Sequence, residues 1–335
     1  MDKNSLVKVS VCVSFYNAER FVFRCLDMLC AQTMKEGLEI VLVNDGSKDN
    51  TDELMRSYAS NHPERKFVLI TQDNGSLCQG RKTGIANASG EYIAFFDQDD
   101  LIDETAYDKL YNCAKSNDVD IVEMQSKYGD VILAAPFDGL HSSHEVLLHY
   151  FSKGGIQSQL WMRIYRRTLF SKPVLPSIRT NNEDMFGFPC LLHAAKTIYF
   201  YPEVLHTYTI DENSYMGSMS NPKMAEKKFQ SCKIALGAFE HFKEYVGKEE
   251  MEDYSLEFTQ YQARYIFVFL MSKFFAKSMK DKIQAVTDET DLKSLSKINK
   301  FLKTNFKNNW FIYKIYRLFG LNFSSFLYGI KHHSI

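Results

Sequence analysis

The sequence predicts an α/β fold in which helices flank a mostly parallel central sheet, with a helical appendage at the C-terminus. Two observations support this prediction. Over residues 7–100, apolar runs of strand length alternate with stretches of helical periodicity. From Asn221 onward strand signals are absent, and long helical stretches rich in lysine and aromatic residues take their place. We therefore expect one α/β domain over residues 1–218 and a helical region over residues 219–335.

Four apolar runs are predicted as buried strands, at residues 7–14, 38–43, 67–71 and 91–96. Helical spacing of apolar residues follows the first three of them, over about residues 21–33, 50–60 and 80–88. This alternation is typical of parallel strands with helices on both faces of the sheet. Later strands are predicted at residues 119–124 and 198–201, the second of them just before Pro202.

Composition and charge exclude several classes of protein. The 335 residues are 45% apolar and carry a net charge of -1, which argues against a general nucleic-acid binder. The seven cysteines show no zinc-like spacing. A secretory leader and an apolar run of about 18 residues, the length that a membrane span needs, are not found. We therefore expect a reduced, cytoplasmic protein.

Polar clusters follow three of the predicted strands. They are Asn17 with Glu19, residues 45–47, and the acidic run at residues 97–100. Because ligands of α/β sheets bind outside the carboxyl ends of the strands, these clusters are expected to meet at one edge. The cluster at 45–47 could bond a base or a ribose, or could form a plain turn. Arg81 and Lys82 could contact phosphate, or could be a solvated basic pair.

The acidic run places Asp97, Asp99 and Asp100 within four residues at the end of a strand. Like charges this close raise each other's pKa unless a cation neutralises them. Carboxylate oxygens suit Mg²⁺ or Mn²⁺. Alternatively, Asp99 or Asp100 could cap a helix that starts near Asp103. The residues alone leave both possibilities open.

Three blocks of sequence, in their order, spacing and strand context, resemble the family 2 glycosyltransferases of GT-A fold: VSVCVSFYNAERF, VLVNDGSKDNT and QDNGSLCQGRKTGIANASGEYIAFFDQDD. The resemblance extends over roughly residues 7–215. QLWMRIYRRTLF is similar to the acceptor-side segment, NNED to the acidic motif with the catalytic base, and HTYTIDENSYM to the segment that closes over the donor diphosphate. A GT-A nucleotide-binding domain is thereby implied, with a donor part at about 1–100 and an acceptor part at about 101–218.

The resemblance also implies roles for single residues. Asp184 would be the general base, with Glu183 as the fallback. Asp99 would be the preferred ligand of Mn²⁺ or Mg²⁺, and Asp97 and Asp100 would share that work. The nucleotide sugar would contact Phe15, Tyr16, Glu19, Asp45, Gly46, Ser47, Arg81, Asp97 and Gln98. The acceptor side would include Trp161, His206 and Tyr208.

The chain departs from the family pattern at several positions. The family usually has Pro at or beside Ser14 and Asn at Lys82. It often has Arg and His where this chain has Thr209 and Asp211. A basic group on the leaving diphosphate would then come from elsewhere, with His206 and Tyr208 as candidates, or the loop would act differently.

The implied reaction is inverting, metal-dependent transfer of a hexose or N-acetylhexosamine from a UDP-linked donor to a hydroxyl of an acceptor. That acceptor would be a glycan, a lipid-linked sugar or a glycoprotein, in bacterial surface-polysaccharide assembly. One alternative is a nucleotidyltransferase acting on sugar phosphates, but no glycine-rich loop follows the first strand. The other is a non-catalytic protein that binds nucleotides or glycans.

The C-terminal stretch is strongly basic. After Asp291 there are eight Lys or Arg residues and no Asp or Glu. Lysines recur every three or four residues from Lys293 to Lys307, so a helix would carry them on one side. Such a helix suits an anionic membrane surface, which would place the protein at the inner face of the plasma membrane. Alternatively it packs on the catalytic domain or on another subunit of a homo-oligomer.

Overall fold

The computed structural model describes residues 6–153, 155–209, 225–254, 256–258 and 261. The chain divides into two compact units, Met1–Leu147 with Gly155–Asp211, and Leu148–Gly154 with Glu212–Ile335. The predicted boundary at residue 218, Asp211 and the basic stretch after Asp291 lie outside the described residues.

The described part of the first unit is built on one sheet. Its strands are β1 (Val9–Phe15), β2 (Leu38–Asn44), β3 (Lys66–Thr71), β4 (Tyr92–Asp97), β5 (Leu101–Ile102), β6 (Ile121–Tyr128), β7 (Val131–Leu133), β8 (Gly139–Ser142), β9 (Arg163–Arg166) and β10 (Thr197–Thr207). The helices of the described chain are α1 (Glu19–Ala31), α2 (Thr51–Asn61), α3 (Leu77–Asn87), α4 (Ala106–Asn117), α5 (Ser143–Ser152), α6 (Asp184–Ala194) and α7 (Ala225–Val246).

The sheet has the order β3-β2-β1-β4-β9-β6-β10-β5. The strands β3, β2, β1 and β4 are parallel, and so are β6 and β10. β9 pairs antiparallel with β4 and β6 and so joins the two parallel groups. The predicted mostly parallel sheet with flanking helices is confirmed.

The carboxyl ends of β1, β2 and β4 lie at the same edge of the sheet. In the strand register, Ser14 of β1 is opposite Asp97 of β4, and Phe15 is opposite Asn44 of β2. Two strand spacings separate the ends of β2 and β4, which amounts to about 10 Å. The polar clusters at 45–47 and 97–100 therefore meet at one edge, as the sequence predicts.

The apolar periodicity of the sequence matches the buried faces of these elements. All seven residues of β2 are buried, because helices cover both faces of a parallel strand. Helix α1 buries Val22, Cys25, Leu26 and Leu29, which recur at helical spacing and share one face. Full burial of each such aliphatic side chain contributes about 1.5–3 kcal/mol to stability.

Strand β10 differs from its prediction. It continues through Pro202 to Thr207, because register shifts at Tyr201/Val204 and Val204/His206 let the β6 pairing skip the proline, which has no N–H to donate. The continuation carries His206 alongside the end of β4. None of the helices in the described part of the chain combines the length and the apolar character that a membrane span requires.

The second unit has an aromatic core of its own. Phe151 contacts the rings of Phe242 and Phe258 with centroids 5.2 and 5.1 Å away. Tyr261 donates a hydrogen bond of 2.7 Å to the hydroxyl of Tyr150. Aromatic residues in the C-terminal sequence therefore serve packing inside this unit, at least as far as Tyr261.

Candidate active site

The loops after β1 and β2 are joined by hydrogen bonds. The N–H of Asn17 donates to Oγ of Ser47 (3.0 Å), and the N–H of Asn50 donates to Oε2 of Glu19 (3.1 Å). Asn17 has φ +48, a left-handed conformation that asparagine tolerates better than most residues. Predicted ligand contacts Glu19 and Ser47 thus also hold these two loops together.

Phe15 and Tyr16 have opposite environments, although the sequence places both near the nucleotide. Phe15 is 0% exposed and belongs to the hydrophobic core, whereas Tyr16 is 48% exposed. The burial of Phe15 argues against a direct contact with a ligand, because its ring fills the core beneath the loop. Tyr16 is the aromatic side chain that the loop presents to solvent.

The carboxylate of Asp45 is buried and saturated with hydrogen bonds. Its Oδ1 accepts from the side chain of Gln72 (2.7 Å) and the N–H of Gly75 (2.9 Å). Its Oδ2 accepts from the side chain of Asn74 (3.1 Å) and the N–H of Ser76 (3.0 Å). A carboxylate has about four acceptor positions, so a nucleotide base would have to displace one of these donors. Asp45 as a base ligand stays a prediction.

Gly46 is required by this arrangement. It has φ +75, and a Cβ at this position would lie 2.6 Å from the backbone nitrogen of Asn74. Ser76 on the other side of Asp45 has φ +94 and ψ 164, a region that is essentially reserved for glycine. The strained backbone at Ser76 lets its N–H reach the Asp45 carboxylate.

Arg81 of α3 bridges two carboxylates from distant parts of the sequence. Its Nη2 donates to Oδ1 of Asp97 (2.8 Å), and its Nη1 donates to Oε1 of Glu183. The guanidinium is 5% exposed and lies 5.5 Å from the ring centroid of Phe95. Burial opposes the charge on Arg81, but Glu183 and Asp97 outweigh it and raise the pKa of Arg81 above its usual value.

Glu183 and Asp184 differ in their accessibility. Glu183 is 1% exposed, and burial raises its pKa to about 7, with Asp184 adding to the shift and Arg81 opposing it. Asp184 is half-buried at the first residue of α6, and its Oδ1 accepts from the N–H of Met185 (2.9 Å). Burial also raises the pKa of Asp184, against the effect of Arg81. A carboxylate with a raised pKa is better suited to accept a proton near neutral pH.

The acidic run after β4 is crowded with negative charge. The carboxylate of Asp99 is half-buried, and burial together with Asp97 and Asp100 raises its pKa to about 6, against the opposing effect of a hydrogen bond from its own backbone N–H. Asp100 is 0% exposed, and burial and then Asp97 raise its pKa to about 8. Oδ1 of Asp100 accepts from the N–H of Thr209 (2.8 Å), and its buried Oδ2 lies 3.2 Å from Nε2 of the buried His206.

The capping alternative for Asp99 and Asp100 is wrong. Helix α4 begins at Ala106, and Asp103 accepts the N–H of Thr105 (2.9 Å) just before it. The turn at 97–100 is instead closed by a hydrogen bond from the N–H of Asp100 to the carbonyl of Asp97 (3.1 Å). The carboxylates of Asp99 and Asp100 are therefore not needed for the helix.

Trp161 stacks between His206 and Tyr208. The ring centroids of Trp161 and His206 are 4.2 Å apart, with an interplanar angle of 18°. The ring centroids of Trp161 and Tyr208 are 5.7 Å apart, with an interplanar angle of 4°. His206 is 1% exposed, its Nδ1 is 2.9 Å from Oγ of Ser126, and burial lowers its pKa to about 4. His206 is therefore neutral at pH 7 and inaccessible to an acceptor. Its contacts with Trp161 and Asp100 instead help to hold these two side chains in place.

The basic residues of the QLWMRIYRRTLF segment are structural. Arg163 is 1% exposed and donates to Oε2 of Glu123 (2.7 Å) and to the carbonyl of Gln159 (2.7 Å). Arg166 donates to Oδ1 of Asp120 (2.8 Å). The buried Arg163 pair fixes the turn that leads into Trp161.

Residues 10–171 match the family model described as Glycosyl transferase family 2. Residues 10–171 therefore form a glycosyl transferase family 2 domain. The Escherichia coli protein named "Uncharacterized glycosyltransferase YibD" is 33% identical over 179 residues, which cover 50% of this chain and 51% of YibD. The match therefore spans about half the length of that relative.

Solved structures share the fold of this chain, and two of them hold a nucleotide sugar. One is S. aureus TarS 1-349 in complex with UDP-GlcNAc, with a TM-score of 0.60 and 18% identity over 77% of this chain and 71% of that one. The other is the mannosyltransferase PcManGT from Pyrobaculum calidifontis in complex with GDP-Man and Mn²⁺, with a TM-score of 0.50 and 16% identity over 94% of this chain and 85% of that one.

The acidic run at residues 97–100 fits a divalent cation. Asp97 and Asp100 lie close enough to Asp99 to raise its pKa, and the repulsion between these charges favours a cation. In the described residues, no group of three or more His, Cys, Asp or Glu side chains is already arranged around a metal position. A site with so few carboxylates suits Mg²⁺ or Mn²⁺, because these ions take one or two carboxylates and complete their shell with substrate phosphates.

Several polar residues at this edge of the sheet were not predicted from the sequence. Gln72, Asn74 and Ser76 bond Asp45, and Arg179 donates to the carbonyl of Asn74 (2.8 Å). Gln72, Asn74 and Ser76 follow directly after β3, a third strand that ends at this edge. That position was the available signal in the sequence. Gln98, a predicted ligand contact, is half-buried, and its Oε1 has no hydrogen-bond partner among the described residues.

Proposed function

We propose that this chain is an inverting, metal-dependent glycosyltransferase. It would move a hexose or N-acetylhexosamine from a nucleotide sugar to a hydroxyl of a glycan, lipid-linked or glycoprotein acceptor. The observation that carries this proposal is the Arg81 bridge, which connects Asp97 at the end of β4 with Glu183 beside Asp184. The acids of the donor motif and of the proposed catalytic motif are thereby held at one edge of the sheet.

A UDP-linked donor is the favoured substrate. The solved TarS structure holds UDP-GlcNAc, and the PcManGT structure holds GDP-Man, so both relatives of this fold take a nucleoside diphosphate sugar. The exposed Tyr16 and the loop at Asp45 and Gly46 would line the base and ribose. Of these, Tyr16 presents an aromatic surface on which a base can stack.

Asp99 would hold Mn²⁺ or Mg²⁺, with Asp97 and Asp100 beside it. When bound, the cation would supply positive charge to the diphosphate of the donor. Burial of the run strengthens this attraction, because charges interact more strongly where water is excluded. The Mn²⁺ in the PcManGT structure supports this part of the proposal.

Asp184 would act as the general base of the reaction. It would remove the proton from the acceptor hydroxyl as that oxygen forms a bond to the anomeric carbon. The bond from the anomeric carbon to the diphosphate oxygen breaks on the opposite side, so the configuration inverts. Glu183 is bonded to Arg81 and buried, which leaves Asp184 as the more accessible carboxylate.

Arg81 would orient and neutralise the catalytic carboxylates. Two of its nitrogens are committed to Asp97 and Glu183, and its side chain is 5% exposed. The predicted contact between Arg81 and the diphosphate would require one of these bonds to open. A positioning role requires no such change.

The function can be tested with the full-length chain, Mn²⁺ and a panel of UDP-glucose, UDP-galactose and their N-acetylated forms. We expect one donor to release UDP slowly in water and faster with a sugar acceptor, and chelation of the metal to stop the release. NMR of the product should show inversion at the anomeric carbon. Pyrophosphate release from a nucleoside triphosphate and a sugar phosphate would instead support the nucleotidyltransferase. Binding without turnover for every donor would support a non-catalytic protein.

A further inference from the structure

The hairpin formed by β6 and β7 turns one face toward the candidate active site. In its register, Ser126 is opposite Leu133 and Tyr128 is opposite Val131. Because side chains alternate along a strand, these four residues share one face, and the intervening Ile132 lies on the other. Ser126 fixes the direction of the shared face, because its hydroxyl is 2.9 Å from Nδ1 of the buried His206.

A row of aromatic rings runs from that histidine to the hairpin. Trp161 lies parallel to Tyr208, with centroids 5.7 Å apart and an interplanar angle of 4°. Tyr208 in turn contacts Tyr128 at 6.0 Å and 60°. Exposure increases along the row, from 5% at Trp161 to 46% at Tyr128. The row therefore leads from the protein interior to an open surface.

The inner end of the row lies at the acidic run. Thr209, the residue after Tyr208, donates its N–H to Oδ1 of Asp100 (2.8 Å). Tyr208 is itself fixed by its N–H, which donates to the carbonyl of Lys127 (2.8 Å). A molecule lying along the rings would have one end near the proposed diphosphate and the other on the hairpin.

The outer end of the row combines an aromatic and an aliphatic side chain. Val131, the cross-strand partner of Tyr128, is 51% exposed. Single exposed apolar residues are common and need no explanation. Here the exposed pair continues an ordered row of rings that begins at the candidate active site, and this continuity points to a ligand.

We propose that Tyr208, Tyr128 and Val131 form an acceptor subsite that binds a sugar unit of a glycan, adjacent to the unit that receives the transferred sugar. The C–H face of a pyranose is weakly positive and matches the negative face of an aromatic ring. The phenol hydroxyls of the two tyrosines can bond the hydroxyls at the sugar's rim. This subsite rests on the proposed function, because it assumes that the acceptor enters beside Asp100.

A sugar fits this surface better than an acyl chain does. An acyl chain gains most from an enclosed groove that removes all of its surface from water. The hairpin end of the row is open, and its tip consists of the exposed Gly129 and Asp130. An open aromatic wall with hydroxyl groups is suited to a ligand that is apolar on one face and polar at its edges.

The test compares Tyr128→Ala with Ile132→Ala in the full-length chain. Ile132 is 58% exposed on the opposite face of the same hairpin, so it controls for general damage to the hairpin. Binding of oligosaccharides of one to four hexose or N-acetylhexosamine units is measured by calorimetry. Binding of phosphatidylglycerol vesicles is measured by co-sedimentation, and UDP release from the donor in water is measured in parallel.

We expect Tyr128→Ala to weaken binding of the longer oligosaccharides about tenfold, as the loss of one aromatic contact of about 1.4 kcal/mol would do. In Tyr128→Ala, binding of monosaccharides and UDP release in water should stay unchanged. Ile132→Ala should match the wild type in every one of these measurements. Equal losses in the two variants, unchanged binding by Tyr128→Ala, or no oligosaccharide binding by the wild type would overturn the subsite. So would a loss confined to binding of phosphatidylglycerol vesicles, which would assign the surface to lipid. Absence of UDP release in the wild type would instead count against the proposed function.

Discussion

Arg81 and Glu183 form a buried ion pair between residues 102 positions apart in the sequence. The pair joins helix α3, which follows the third strand, to the residue before α6. Taking two charges out of water is costly, and the remaining bond from Arg81 to Asp97 helps to offset that cost. The proposed catalytic carboxylate Asp184 is held in place through this pair.

Removal of the Arg81 charge should affect both stability and activity. Arg81→Met leaves Glu183 buried without a partner, so the free energy of unfolding should fall by about 3 kcal/mol. Urea unfolding of the free protein measures this loss. Arg56→Met is the control, because Arg56 pairs with Asp52 at an exposed position and should contribute at most about 1 kcal/mol. Equal effects of the two substitutions would contradict the assigned role of Arg81.

Asp184→Asn should abolish transfer and preserve donor binding. The amide cannot accept the proton of the acceptor hydroxyl, and loss of a general base typically lowers kcat about 10²–10⁴-fold. The variant's kcat is compared with its affinity for UDP and Mn²⁺, which should stay near the wild-type value. Asp138→Asn, at an exposed position, is the matched control. Near-normal turnover by Asp184→Asn would assign the proton transfer to another group.

Asp99→Asn should remove the stabilisation that Mn²⁺ and UDP confer together. A ligand that binds only the folded chain raises the melting temperature, and Asp99 offers the least committed carboxylate of the acidic run. The rise in Tm on adding both compounds should be lost in Asp99→Asn and retained in Asp138→Asn. An unchanged rise in Asp99→Asn would place the cation elsewhere.

The metal-free protein should lose stability as pH rises from 6.5 to 8. The pKa of Asp100 is raised from 3.8 to about 8, so in this range the folded chain retains a proton that the unfolded chain has released. Its contribution to stability therefore falls with rising pH. His206 has the opposite sign, since its lowered pKa reduces stability only as pH falls below 6.5.

Thermal unfolding at several pH values with a chelator present measures this slope. In Asp100→Asn, which cannot ionise, the slope between pH 6.5 and 8 should be shallower. A slope of the same size in this variant would show that other groups produce the dependence, with Glu183 as the first candidate because burial raises its pKa to about 7.

Gly46→Ala should destabilise the chain more than Gly129→Ala does. Both glycines have positive φ, so alanine at either position is strained by about 1–2 kcal/mol. At Gly46 the added Cβ would also meet the backbone nitrogen of Asn74 at 2.6 Å, whereas nothing lies within 4 Å at Gly129. Chemical denaturation measures the free energy of unfolding of the two variants. Equal losses of this free energy would mean that the loop at Asn74 shifts without cost to make room for the added Cβ.

The sequence predicted the scaffold well, because its strands and helices follow from local periodicity. Alternating apolar runs located β1 to β4 within one or two residues, and parallel pairing then brought Asp97 to the edge where Asn44 ends. The course of β10 was not predictable from Pro202, because β6 tolerates the proline only through register shifts between the two strands.

The side-chain contacts of the candidate site were less predictable. The bond from Gln72 to Asp45 and the bridge from Arg81 to Glu183 join residues that are distant in sequence, and no local pattern encodes such pairs. The tertiary fold decides which polar groups meet, and burial then decides which of them must be satisfied.

The saturated carboxylate of Asp45 bears on how relatives of this chain are classified. Four donors within the chain hold it, so selection for a correctly folded turn is enough to retain it. Surveys that score this aspartate as a mark of donor recognition would accept degenerate paralogues that kept the turn and lost the chemistry. A more accessible carboxylate such as Asp99 discriminates better between active enzymes and relatives that have lost activity.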